Sequence, residues 1–284
     1  MILVDCSQIV IAAAFADRDF VKTYDEKLLR HMILNTIRSY RVKHKKEFGE
    51  IVLCYDSQNC WRKDIFPYYK AHRQESKDAQ AKAGTMDFEI LFRMFSKIQS
   101  EFIQFLPYKQ VAVPRTEADD VIAVLTKHVT TNMLDVRDPV LILSSDHDFK
   151  QLHKFSNVRQ FSPLLKKWVE ERAPIAFLEN KILTGDKGDG VPNVLSADDC
   201  IITKKRQTPL TESRIAEIKR SPSESIKRNI DRNANMIDME LIPEEYQNQI
   251  LDVYNSYIPA ARKELRQYFT LYKMNAMMEY ISDF

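Results

Sequence analysis

Three short apolar runs, Ile2–Val4, Ile51–Tyr55 and Val140–Leu143, each break off into acid: Asp5 after the first, Asp56 after the second, Asp146 and Asp148 after the third. Unbroken runs of this length, rich in β-branched residues, mark strands buried on both faces, as in a parallel sheet. Between them lie segments with helical spacing: Leu28, Leu29, Met32, Ile33 and Ile37, then Phe88, Leu91, Phe92, Phe95 and Ile98. Strands alternating with helices predict an α/β fold, a mostly parallel central sheet flanked by helices. In such sheets the working crevice lies at the carboxyl ends of the strands, where these aspartates fall.

At 284 residues the chain has room for one large domain, or a medium domain and a small one. Strand-like runs stop after about Thr184, and helical pieces follow, punctuated by Pro192, Pro209, Pro222, Pro243 and Pro259. We expect an α/β domain over 1–180 and a smaller all-helical domain over 181–284, the tail being amphipathic helices that pack a core. Gln74–Gly84 is polar, lacks large apolar residues and reads as a mobile loop. Cys6 and Cys54 sit in apolar runs and read as core residues, and no cysteine pairs with histidine at zinc spacing. A reducing, intracellular setting follows. The start, MILVDC, lacks the basic region of a signal peptide, and no apolar run approaches membrane-spanning length, so no membrane is expected.

Three acidic clusters carry two readings each. In RTEADDVIAVL, Thr116 as N-cap and Asp119 in the capping-box position explain a well-capped helix. Yet Glu117, Asp119 and Asp120 crowd three like charges into four residues, which a cation would offset, and Glu117 and Asp120 share a helix face. In SSDHDF, Asp146 and Asp148 either end a strand or hold an ion; His147 between them reads as a packing or solvent residue. In GDKGDGVPNV, Asp186 and Asp189 lie among Gly185, Gly188 and Gly190, three of the chain's five glycines. In so glycine-poor a chain, a backbone loop that contacts phosphate or an ion is favoured over a generic tight turn.

Together Asp5, Asp56, Glu117, Asp119, Asp120, Asp146, Asp148, Asp186 and Asp189 offer oxygen alone, the donor set of Mg²⁺, with Mn²⁺ as a substitute. So many acids suit two ions rather than one. The net charge of +2 does not announce a nucleic-acid binder, but acids gathered in one pocket would mask a basic surface. One candidate is NCWRKDIFPYYKAHR, where Arg62, Lys63, Lys70, His72 and Arg73 alternate with Trp61, Phe66, Tyr68 and Tyr69. Rings stack on bases and cations pair with phosphates, although an amphipathic surface helix explains the segment too. Lys70 is placed to offset charge on a reacting phosphate. Lys204, Lys205 and Arg206 would hold duplex phosphates, or form a solvated charge run.

The ordered set VDCSQ, LCYDS, PYYKAHR, EADD, SSDHDF and GDKGDGVPNV resembles the 5′-nuclease (flap endonuclease) superfamily, whose fold is PIN-like. WRKDIFPYYK and FSPLLKKWV are similar to its ribonuclease H branch in T-even bacteriophages. The motifs span roughly the first two-thirds of the chain. The resemblance implies that Asp5, Asp56, Glu117, Asp119, Asp120, Asp146, Asp148 and Asp189 are metal-site acids, with Asp186 in the same loop. It implies a basic residue near the scissile phosphate at Lys70, and a helical arch near 57–85 that includes Tyr69 and Arg73. It further implies a helix–turn–helix-like DNA-contact loop near 184–206. Relatives remove 5′ flaps and RNA primers, so DNA and RNA/DNA hybrids with 5′ ends become the expected substrates. Single-stranded DNA-binding protein and sliding clamp become candidate partners, and the host cytoplasm the compartment of a phage-encoded chain. Two departures stand out: His147 replaces the usual glycine between the acids, and VPNVLSADD lacks the further glycines of the family.

The expected activity is that of a metal-dependent 5′→3′ exonuclease and flap endonuclease. Two other readings compete. A small RNA-cleaving nuclease on a related sheet would not need PYYKAHR and GDKGDG, and a non-catalytic DNA-binding module of the replisome would not need the full acid set with Lys70.

Overall fold

The computed structural model describes residues 1–17, 19–131 and 138–284. Six strands form one sheet: β1 (Ile2–Asp5), β2 (Ile51–Cys54), β3 (Lys109–Val111), β4 (Val140–Leu143), β5 (Val158–Ser162) and β6 (Lys167–Val169). Their order is β3-β2-β1-β4-β5-β6, and every neighbouring pair is parallel except β5 with β6. The strand order reverses between β1 and β4, the point at which open α/β sheets leave a crevice at their carboxyl edge. Asp5 ends β1 there, and Asp146 follows β4.

The helices in chain order are α1 (Cys6–Ala16), α2 (Phe20–Thr23), α3 (Glu26–Phe48), α4 (Arg62–Ile65), α5 (Arg73–Lys82), α6 (Phe88–Phe105) and α7 (Ala118–Thr131). There follow α8 (Pro174–Thr184), α9 (Glu212–Arg220), α10 (Glu224–Ile237), α11 (Glu244–Ser256), α12 (Arg262–Leu271) and α13 (Asn275–Met278). Among the described residues, no helix is long and apolar enough to cross a membrane.

Alternate strand residues feed opposite faces of the sheet. Ile2, Val4, Ile51, Leu53, Leu141 and Leu143 join a core with α1, α3 and α6; Leu3, Val52, Cys54, Val140 and Ile142 join one with α7 and α11. Both faces being covered explains why the three central strands read as unbroken apolar runs. The tail reaches the first of these cores. Tyr268 of α12 stacks on Phe105 at 5.1 Å and donates to Glu101 at 2.8 Å, while Arg30 of α3 donates twice to the same carboxylate. Residues after 181 are thus divided between a small cluster of their own (Leu183, Val194 and Ile218) and the two faces of the sheet.

Gln74–Gly84, read from its composition as a mobile loop and from the resemblance as part of a helical arch, is mostly helix α5, and none of its side chains is buried. Ala, Glu, Lys and Gln are strong helix formers, so local propensity makes a helix where no apolar stripe announces one.

Candidate active site

The acids reach one edge of the sheet by different local devices. Asp5 is the N-cap of α1: one carboxylate oxygen accepts the Gln8 amide at 3.1 Å, and the other accepts the Ser144 hydroxyl at 2.9 Å. Asp56, just past β2, accepts the Ala118 amide at 2.9 Å at the start of α7, and Ser7 donates to its other oxygen. Asp119 rides the first turn of α7. Asp146 takes the Asp148 amide at 2.8 Å, fixing the turn after β4. Asp5, Asp56, Asp119 and Asp146 line one cavity of about 330 Å³, together with Lys70, Arg73 and Lys77. Gln8, Asp146, Asp148 and Asp186 line an adjoining cavity of about 660 Å³, so Asp146 belongs to both.

The nine acids divide by what neutralises them. Glu117 receives Lys70 at 2.5 Å and Arg62 at 3.4 Å; Asp120 receives Arg62 at 2.8 Å. Asp189 pairs with Arg73 and, at 3.7 Å, with Lys70. Lys181 pairs with Asp148 and, at 2.8 Å, with Asp186. Among the described residues no such ion pair reaches Asp5, Asp56, Asp119 or Asp146. Their electrostatics diverge accordingly. Burial, then the charges of Asp56 and Asp146, push the Asp5 carboxyl up to about 7. Burial, Asp146 and Asp5 push Asp119 upward as well. Burial would also raise Glu117, but Lys70, Arg62 and Tyr69 outweigh it and hold that carboxyl at about 2. Burial works against the Lys70 ammonium, but Asp189 and Glu117 outweigh it, and Lys70 stays charged.

Three of the expected site residues are held inside one buried knot around the start of α4. Arg62, expected on nucleic acid, is 3% exposed and donates to the Met236 carbonyl at 3.1 Å. Asp120, expected on a metal, is fully buried; it pairs with Arg62 and accepts from Trp61 Nε1 at 3.2 Å. It also accepts the Glu117 amide at 2.9 Å, so Asp120 and not Asp119 is the capping-box acid, and Thr116 turns its hydroxyl to the Val113 carbonyl. Tyr69, expected against bases, is buried, its hydroxyl proton shared between Glu117 at 2.8 Å and Asp189 at 3.0 Å. Trp61 and Phe66 are buried too, which leaves Tyr68 as the exposed ring of that segment. Lys63, Arg73, Lys204, Lys205 and Arg206 do reach solvent, the last three beside Lys187 around a further cavity.

The arch base is docked on the glycine-rich loop. Lys70 donates its amide to the Asp189 carbonyl at 2.7 Å, and Arg73 Nε donates to Gly188 O at 2.9 Å. Gly190 has φ +76°, and a Cβ there would stand 2.9 Å from the Tyr68 carbonyl oxygen. The loop needs glycine here both for its backbone hand and for this approach. Two participants carry no signal in the sequence. Ser144, just past β4, holds Asp5, and Lys181 bridges two acids. Lys181 stands on the last turn of a helix five residues before Asp186, a spacing that signals nothing until Gly185 turns the chain back.

Residues 1–182 match the family model described as the 5′-3′ exonuclease N-terminal resolvase-like domain, and residues 174–284 match that of the T4 RNase H C-terminal region. The ribonuclease H of Enterobacteria phage T4 is 33% identical over 298 residues, spanning 99% of this chain and 95% of the phage protein. The chain belongs to the 5′-3′ exonuclease family. Two solved structures share the fold of this exonuclease-family chain. The bacteriophage T5 flap endonuclease, in a complex with DNA and metal ions, is 18% identical with a TM-score of 0.57, covering 90% of this chain and 99% of that one. The T5 protein co-crystallised with metal ions is 17% identical with a TM-score of 0.54, covering 89% and 98%. Among the described residues of this exonuclease-family chain, no three acidic, histidine or cysteine side chains stand close enough together to hold a metal ion as placed.

Proposed function

We propose that this chain is a divalent-metal-dependent 5′→3′ exonuclease and flap endonuclease that hydrolyses phosphodiester bonds near the 5′ ends of DNA and of RNA paired with DNA. The carrying observation is the division of the acids. Five have cations of the protein's own, whereas among the described residues no ion pair reaches Asp5, Asp56, Asp119 or Asp146, and burial with the neighbouring carboxylates pushes Asp5 and Asp119 upward. Four such carboxylates around one cavity fit an external hard cation, and an all-oxygen donor set fits Mg²⁺ or Mn²⁺. Asp146, Asp148 and Asp186 suit a second ion in the adjoining cavity. Such ions, when bound, activate water and stabilise the leaving oxygen.

The chain's own residues do the rest. Ser144 and the Gln8 amide orient Asp5, and Ser7 and the Ala118 amide orient Asp56, so each presents a fixed face to the cavity. Lys70 and Arg73 stand at the rim of that cavity, where a phosphate beside the acids would meet both cations. Helix α5, with no buried side chain, would cover the 5′ strand as an arch. The basic cavity of Lys187, Lys204, Lys205 and Arg206 would take phosphates of the adjoining duplex. In this reading 1–180 is catalytic and 181–284 carries the duplex-contact loop. RNA primers of lagging-strand fragments are its substrates, single-stranded DNA-binding protein and sliding clamp its partners, and the host cytoplasm its compartment. The test is cleavage of a 5′-flap substrate by chelated protein with and without added Mg²⁺. Cleavage should depend on the ion and vanish in Asp5→Asn with Asp146→Asn. Metal-independent cleavage, or unchanged cleavage by that double variant, would overturn the reading.

A further inference from the structure

We propose that Lys181 is a built-in counter-ion that holds the place of the second divalent ion, which enters only as the Lys181 ammonium swings out. The inference rests on the reading of Asp146, Asp148 and Asp186 as an ion site. Lys181 pairs with Asp148 and, at 2.8 Å, with Asp186, and all three are largely buried, their side chains 15%, 16% and 21% exposed. A divalent ion held by the same two carboxylates would have to lie about 2.0–2.6 Å from their oxygens. The ammonium already fills that space, so ammonium and metal exclude one another.

The fold makes this placement firm on one side and loose on the other. Gly185 ends α8 with φ +70°, and its amide bonds to the Lys181 carbonyl at 2.8 Å. Asp186 then pairs in both directions with Val191, at 2.8 and 2.7 Å, so its backbone cannot move away. A Cβ on Gly185 would meet the Val191 carbonyl oxygen at 2.4 Å, which fixes how closely the turn is drawn. Asp148 is anchored through its amide on Asp146. The lysine stem, by contrast, has four rotatable carbons, and the cavity wall beside it carries the polar Asn180, Thr184 and Gln8. Among the described residues no ion pair reaches the acids of the first cavity, so no ammonium bridges them as Lys181 bridges Asp148 and Asp186. Two sites that share Asp146 therefore differ in kind, and filling should be ordered: the unpaired acids first, the Lys181 pair second.

The magnitude follows from population. An ion that binds only the lysine-free state sees its affinity lowered by the fraction of that state; a state populated about one-tenth of the time weakens binding about tenfold. The test is calorimetric titration of Mn²⁺ into the full chain, stripped with chelator and free of nucleic acid. Wild type should show a tighter and a weaker class of site. Lys181→Met should tighten the weaker class about tenfold and leave the tighter class alone, while Lys181→Arg, which keeps a cation, should keep the weaker class weak. In chelator, Lys181→Met should melt below wild type, because Asp148 and Asp186 lose their partner, and saturating Mn²⁺ should raise its Tm more than it raises that of wild type. A weaker class that stays unchanged or loosens in Lys181→Met, with the tighter class intact, overturns the role of Lys181 and spares the metal reading. So does a lowered Tm that Mn²⁺ fails to restore, the mark of a plain structural salt bridge. No Mn²⁺ binding by wild type or variant overturns both.

Discussion

Replacing Arg62 with methionine separates a structural from a nucleic-acid role at the arch base. The guanidinium is 3% exposed and meets Asp120 at 2.8 Å, Glu117 at 3.4 Å and the Met236 carbonyl at 3.1 Å, and it lies 4.4 Å over the Trp61 ring. Methionine fills much of the same volume but leaves Asp120, fully buried, without a counter-charge. Breaking a buried pair in this way costs about 3–5 kcal/mol, because the remaining charge is stranded. Glu117 keeps Lys70 and Tyr69, so the loss should concentrate on Asp120. Adding Asp120→Asn removes the stranded charge but keeps an acceptor for the Glu117 amide and Trp61 Nε1, and should recover roughly half of the loss. Urea denaturation followed by tryptophan fluorescence measures all three proteins. If Arg62→Met unfolds within about 0.5 kcal/mol of wild type while its affinity for a 5′-flap substrate falls in a salt-dependent way, Arg62 is a phosphate contact and the argument is wrong.

Three other outcomes follow from the geometry. Lys70→Ala should lower the single-turnover rate on bound flap substrate about 100- to 1,000-fold, the usual cost of one stabilising donor, with a smaller loss of binding; equal losses would make Lys70 a positioning contact. Lys204→Ala with Lys205→Ala should weaken binding and flatten its dependence on log salt by about 1.8, or 0.9 for each lost phosphate contact, with cleavage of bound substrate near normal; an unchanged slope removes them from the interface. Burial, then the neighbouring cations Lys43 and Arg159, depress the pKa of His44 below 6.5, so the unfolded chain takes up its proton first. Stability contributed by the neutral ring is therefore present above that value and lost as pH falls below it, and His44→Phe should flatten the pH–stability curve on the acid side of about 6.5.

What could be read from the residues alone was set by burial on both faces. β1, β2 and β4 lie mid-sheet and need apolar residues at every position, so they stand out as runs. β3 and β6 read KQV and KWV, since edge strands tolerate polar residues, while β5, paired on both sides, reads VRQFS because its buried Gln160 bonds the Ser144 and Asp146 carbonyls; nothing in the three announces a strand. Helix α5 escaped for the complementary reason: its propensity is local, and it has no buried face to show as a stripe. In the site, the acids at strand ends were legible because topology puts strand ends together. The cations that pair with the remaining acids were not. Arg62 lies 58 residues before Asp120 and looks like any exposed arginine in a basic run until Trp61, Met236 and Asp120 close around it.

Charge bookkeeping across the site explains why residues so far apart in the chain must fold as a unit. Arg62, Lys70 and Arg73 come from the arch and its base, Glu117 and Asp120 from the start of α7, and Asp189 from the glycine-rich loop. Each acid taken from water in that group needs a cation from another segment, because a buried lone carboxylate is costly. Satisfying them closes the arch base onto α7 on one side and onto the loop on the other, with Gly190 admitting the Tyr68 carbonyl at the point of contact. The acids left over, Asp5, Asp56, Asp119 and Asp146, sit where the sheet reverses its strand order, and the cations that close the arch are spent on its own acids. An arch that neutralised all of the acids would leave no site for an external ion. Pairing some and leaving four without an ion pair among the described residues is what lets one chain fix the segment from Arg62 to Arg73 in place and still present a cavity lined by carboxylates.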